Sequence, residues 1–485
     1  PRNSAMKDSL HPLKYLCIAL SMWLGGCIDG GPEVVVSGPS IDAGASAQDT
    51  SLTAKPGPGV SVDAGAARQT DASVTVDVAA PSDKALHAFV FNRDPVSDEY
   101  NLTEVKLKKP ATKDGTLISD IVEVRNCLNI DGGKPLMVYG GNQAGSMCVE
   151  KQTVKPGHYG DYLYVKPPDD FSDPNDGFSE LMMYHHVNSM HSYYKGVHGL
   201  QSMDYAIHAV INVQMKITHP MAAQYMGVKP GEWVSYANAA FVPKTDGPGS
   251  PFMPARDQDA IIFMQHKNVD FAYDASVIYH EYTHAMVGKT RLNGVYSDAY
   301  GLSNLPGAMN EGFADYFAAS MSGHPKIGNY ALTAQAKHLM RNLTDKRVCP
   351  DDLKTQVHAD GKIIGSAMWA LRTKLGKLKA DSIILHAIQS FSKTTSLEAA
   401  GQAIIAESKK QDSESTADVE KILSEYGIVG CERVKKFDNW AAALDPDQVP
   451  LYVEGTSNMP KDKYGDGVPG YVQHYIDVPA GTKGV

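Results

Sequence analysis

His280-Glu281-Tyr282-Thr283-His284 is the stretch on which the reading of this chain turns. On a helix, positions i and i+4 share a face, so His280 and His284 can offer two imidazoles to one ion. Glu281 then stands beside that ion, placed to take a proton from a bound water. The residues just before it, 272–279, are largely apolar and suit a helix seated in a core. Alone, the pattern also fits an ordinary helix that happens to carry two histidines.

A second pattern follows at residues 307–317, Gly-Ala-Met-Asn-Glu-Gly-Phe-Ala-Asp-Tyr-Phe. Glu311 and Asp315 again stand at i and i+4. A catalytic zinc takes three protein ligands and keeps a fourth position open, so Glu311 can be the third ligand. Asp315 can accept the second N–H of a ligating histidine and fix its tautomer. A third pattern, residues 357–369, places His358 just ahead of a helix, exposed enough to reach a site and stabilise an oxyanion.

Together these three segments resemble the gluzincin peptidases, the thermolysin-like enzymes, and most closely their fungalysin branch. Further points of likeness are the long gap from His284 to Glu311 and the run Asn238-Ala239-Ala240-Phe241-Val242. The resemblance covers roughly residues 85–435. It implies one catalytic zinc on His280, His284 and Glu311, with Glu281 as general base and then proton donor to the leaving amine. It further implies His358, and Tyr296 as a second residue, at the oxyanion. Asn238 and Ala239 would belong to an edge strand that pairs with the backbone of a peptide substrate. No structural calcium is expected, because the carboxylates that bind it in thermolysin are not recognisable. A propeptide of the fungalysin kind is likewise not recognisable.

The chain has 485 residues, enough for more than one core. Its net charge of −10 argues against a nucleic-acid partner. From Met6, a basic start and a short apolar run end in Leu24-Gly25-Gly26-Cys27, which resembles a bacterial lipobox. Cys27 would carry a lipid, although an ordinary secretory signal is the alternative. Residues 28–83 are rich in Gly, Ala, Ser, Pro and Asp and too poor in apolar residues to build a core, so they read as a disordered tether. Of the six cysteines, Cys127, Cys148, Cys349 and Cys431 remain beyond the signal and lipobox. Four cysteines allow three pairings. Proximity favours Cys127–Cys148, leaving Cys349–Cys431.

The expected fold class is α+β: a two-lobed thermolysin-like peptidase with a strand-rich N-terminal lobe and a helical C-terminal lobe. Strands are expected at 86–91, 117–124 and 206–213, a helix of about twenty residues from Phe178, and loops at 288–308 and 341–360. His185, His186, His191 and His198 read as packed or surface residues, since no carboxylate accompanies them at ligand spacing. The expected divisions are a signal with lipobox at 1–27, a linker at 28–83, a β-rich part at 84–175, the catalytic region at 176–435 and the start of a truncated β domain at 436–485. The function implied is a monomeric zinc endopeptidase acting on extracellular proteins or peptides. It would be lipid-anchored, with the outer membrane favoured, or secreted. An aminopeptidase of the same superfamily, an inactive surface-binding lipoprotein and a structural envelope protein are the alternatives.

Overall fold

The computed structural model describes residues 86–137, 143–245, 249–250, 253–254, 256–290, 292, 297–299, 301–334, 341–432, 434–436 and 473–475. The expectations for the signal, Cys27, the tether and Tyr296 lie outside these residues.

Among the described residues the first elements are β1 (His87–Val90) and, antiparallel to it, β2 (Thr103–Lys106). β3 (Val122–Leu128), β4 (Pro135–Met137), β5 (Gln143–Met147) and β6 (Val149–Lys151) follow. After α1 (Phe178–Ser192) and a π turn (Tyr193–Val197) come β7 (Ile207–Ile211), β8 (Met215–Ile217), α2 (Pro220–Tyr225), β9 (Glu232–Val234) and β10 (Ala239–Val242). A short pair, β11 (Gly249–Ser250) with β12 (Met253–Pro254), precedes β13 (Ala260–Phe263). The main sheet runs β10-β13-β7-β3-β6, and a second sheet runs β4-β5-β8-β9. β10 is therefore an edge strand, antiparallel to β13.

Alternation along the strands sorts the core into two layers. Val122, Val124, Ile207, Ala209, Ile261 and Phe263 face the helices, whereas Cys127, Val210 and Ile262 join Leu136, Met215 and Ile217 between the two sheets. With both faces covered, β7 is buried at every position. The remaining helices are α3 (Ala275–Thr290), α4 (Leu305–Ser322), α5 (Val357–Leu375), α6 (Lys377–Ile388), α7 (Leu397–Gln411) and α8 (Thr416–Glu425). One continuous apolar cluster runs from β1 through α1, α3, α4 and α5 to Leu423 and Ile428. The fold is α+β, as expected.

Local boundaries differ from the sequence reading in three places. The strand expected at 117–124 begins at Val122, because the Ser119 hydroxyl accepts from the amides of Ile121 and Val122 and turns the chain there. The loop expected at 288–308 is shorter at both ends: α3 reaches Thr290 and α4 starts at Leu305, with proline in the first turn, where its missing N–H costs nothing. The loop expected to run to 360 ends earlier, since the Gln356 side chain caps the amide of Ala359 and starts α5 at Val357. Near the end, Gln473–Tyr475 is a strand that pairs in parallel with Val434–Lys436.

Candidate metal centre

From Ala275 to Val287, α3 is buried at every position, so this part of its sequence needs no solvent-facing stripe. Its start is pinned by Asp274, whose carboxylate accepts from the Ser276 amide and from the amides of Tyr330 and Ala331. His280 and His284 lie on one face, and α4 packs across it. The two Nε2 atoms are 2.9 Å apart. Glu311 Oε2, from α4, lies 3.2 Å from His280 Nε2 and 3.6 Å from His284 Nε2. One donor atom from each residue falls within 4.8 Å of the others.

Behind these donors stands an orienting layer. His280 Nδ1 is 2.8 Å from Asp315 Oδ1, and Arg341 grips both Asp315 oxygens at 2.6 and 2.7 Å. His284 Nδ1 is 2.9 Å from Asn310 Oδ1. Neither Asn310 nor Arg341 carries a motif signal of its own. Asn310 could have been noticed, because it precedes Glu311 on the helix that faces His284. Nothing local to Arg341 points to Asp315, 26 residues earlier.

Electrostatics follow from these contacts. Burial opposes charge on Asp315, but Arg341 and His280 outweigh it and hold the carboxyl at about 2. Burial likewise opposes charge on Glu311, yet His358 and His284 hold it well below the usual carboxylate range. Burial would discharge His284, but the Glu311 carboxylate outweighs it and lifts the imidazole to about 9. Glu281 is buried, and neither of its carboxylate oxygens has a hydrogen-bond partner among the described residues. An ionisable side chain left so is costly unless something outside the chain completes it.

His358 corrects the sequence reading. It lies inside the first turn of α5, not ahead of it, and is buried at 2 % exposure. It still reaches the site, with Nδ1 3.1 Å from Glu311 Oε2. Ala239 opens the edge strand β10, with Asn238 immediately before it, and β10 packs against α3. The two disulfides are Cys127–Cys148 and Cys349–Cys431. His186 is a core residue between Tyr279 and the Phe91 carbonyl, and His191 pairs with Asp204. Among the described residues, His280, His284 and Glu311 form the one group of this kind fit to hold a metal.

The donor set suits zinc. Bonds of about 2.0–2.1 Å at tetrahedral angles put ligand atoms about 3.3 Å apart, and the observed spacings of 2.9, 3.2 and 3.6 Å bracket that value. Among the described residues no helix is long and apolar enough to cross a membrane. No curated protein matches the chain. Residues 168–398, just under half of the chain, match the family model described as fungalysin metallopeptidase (M36). This segment spans α1 to the first residues of α7 and contains each of the site residues above; it is that of a fungalysin-like metallopeptidase.

Proposed function

We propose that the chain is a zinc-dependent endopeptidase, with His280, His284 and Glu311 holding the metal. The observation that carries this reading is the convergence of those three donors beside a buried carboxylate, Glu281, whose oxygens have no hydrogen-bond partner among the described residues. When bound, zinc would lower the pKa of a water and polarise the scissile carbonyl. Glu281 takes the proton from the attacking water and returns it to the leaving amine. Asp315 and Asn310 keep His280 and His284 in the tautomers whose Nε2 lone pairs face inward. His358 donates to the oxyanion that develops on the substrate. The backbone at Asn238 and Ala239 holds an extended peptide by strand addition to β10, which favours internal bonds over a free terminus.

The test is cleavage of end-blocked, internally quenched peptides by the purified full chain, with and without a zinc chelator. Internal cleavage that chelation abolishes and zinc restores is expected. Cleavage confined to free amino termini would support an aminopeptidase instead. No cleavage by the folded, zinc-loaded chain would leave a binding role. The Glu281→Gln variant should keep zinc and lose about 10²–10⁴-fold in turnover. We further propose that Cys27 carries a lipid that holds the enzyme at a cell-envelope membrane; loss of lipid labelling in Cys27→Ser checks it.

A further inference from the structure

α4 and α5 bring Glu311 and His358 together, and one buried side chain joins the beginnings of both helices. Asp360, in the first turn of α5, is fully buried. Its Oδ2 accepts from Asn304 Nδ2 at 2.8 Å, and its Oδ1 accepts from the Lys354 amide at 2.6 Å. Asn304 is the residue that begins α4, yet its side chain caps no amide of its own helix. The Ser303 hydroxyl accepts from the Leu305 amide there, and Gln356 caps α5. Asp360 and Asn304 are thus bound to each other across the two helix starts. The next residue, Gly361, lies where an added Cβ would stand 3.1 Å from Glu311 Cβ, so the clasp sits at the crossing of the two helices.

We infer that Asp360 is a positioning residue: by holding Asn304 ahead of α4 and Lys354 ahead of α5 at once, it sets His358 against Glu311. The inference rests on the proposed role of that pair in peptide hydrolysis. Capping alone does not explain this arrangement, since Ser303 and Gln356 each already accept from an amide at the two helix starts. A buried carboxylate joining two segments 50 residues apart converts their packing into a fixed distance between His358 and Glu311.

The test compares Asp360→Asn with the exchanged pair Asn304→Asp/Asp360→Asn in the full, zinc-loaded chain. In the single variant two amide groups face each other; in the exchanged pair donor and acceptor are restored in reverse. Ring-nitrogen resonances of ¹⁵N-labelled histidines report His358 directly, with His358→Ala identifying its signals. The single variant should displace the His358 signals, keep one zinc per chain and KM, and lose up to about 10²-fold in kcat. The exchanged pair should return both the signals and kcat toward those of the parent chain. Unmoved His358 signals and kcat in the single variant would overturn the inference. So would an exchanged pair that folds with His358 still displaced, or that fails to fold. Should the single variant not fold, the exchanged pair decides alone. A parent chain that cleaves nothing would sink the peptidase reading, while the His358 signals would still decide the positioning.

Discussion

Glu311 Oε2 lies 3.1 Å from His358 Nδ1, and the same oxygen faces His280 at 3.2 Å and His284 at 3.6 Å. Three imidazoles thus gather on one carboxylate oxygen in a buried site. Burial opposes charge on both partners, yet the imidazoles hold Glu311 well below the usual carboxylate range and Glu311 lifts His284 to about 9, so protons are held at this site. A divalent ion would replace those protons and bind only the folded arrangement.

Chelation should therefore lower the melting temperature, and added zinc should restore it. At a free zinc concentration of 100 Kd, linkage gives about 2.7 kcal/mol of added stability. Calorimetry of the full chain across a zinc titration checks this. A Glu311→Gln variant should lose most of the response, and an unchanged response there would count against Glu311 as a ligand.

Arg341→Met should cost about 3–5 kcal/mol, because Asp315 would keep its charge in the interior with one partner gone. With Asp315 less firmly placed behind His280, zinc affinity should fall by about 10–100-fold. Arg341→Lys should recover only part of either quantity, since an ammonium cannot match the two-point grip. Denaturant unfolding and competitive zinc titration measure the two effects separately.

Gly312→Ala should damage both stability and turnover. A Cβ at Gly312 would stand 2.5 Å from the Gly361 carbonyl oxygen and 3.1 Å from the Gly365 amide, both backbone atoms. α4 and α5 would have to separate, at a cost of about 1–3 kcal/mol. Because Glu311 is the neighbouring residue, kcat should drop beyond what lost stability explains. An active, equally stable variant would show that the helices can part without moving the site.

Stability should also decline as pH rises from about 4 to about 7. Ser179 Oγ lies 2.6 Å from Asp176 Oδ2 and 2.5 Å from Asp270 Oδ2. One hydroxyl has one proton to donate, so one of these buried carboxyls must itself be protonated. Burial, then the charge of Asp176, raises Asp270 from 3.8 to about 7. A carboxyl that holds its proton more tightly when folded stabilises the fold fully below its unfolded pKa. That contribution is lost as pH climbs through the folded value. Asp270→Asn should flatten the melting-temperature profile across this window. Burial also lifts Glu180 to about 7, so the profile should flatten in part and not vanish. A slope unchanged by Asp270→Asn would place the proton elsewhere.

Much of this architecture is legible in local sequence. The i, i+4 spacing of His280 with His284, and of Glu311 with Asp315, places each pair on one helix face whatever surrounds it. The helix from Phe178, the strand at Ile207 and the family likeness come from periodicity and motif order in the same way. Where the reading slipped, a side chain had changed the local rule. Ser119 turned a strand, Gln356 started a helix early, and Pro306 served as a first-turn residue although it had read as loop.

The sequence by itself determined which side chains share a helix face, and with them the candidate donors His280, His284 and Glu311 and the proposed base Glu281. Only the tertiary structure decided that Arg341 would stand behind Asp315, that His358 would be buried against Glu311, and that Asp360 would clasp Asn304. Helical spacing is a property of a few consecutive residues. These pairs are 26, 47 and 56 residues apart, and close packing of α4 on α5 at Gly312 and Gly361 brings the last two together.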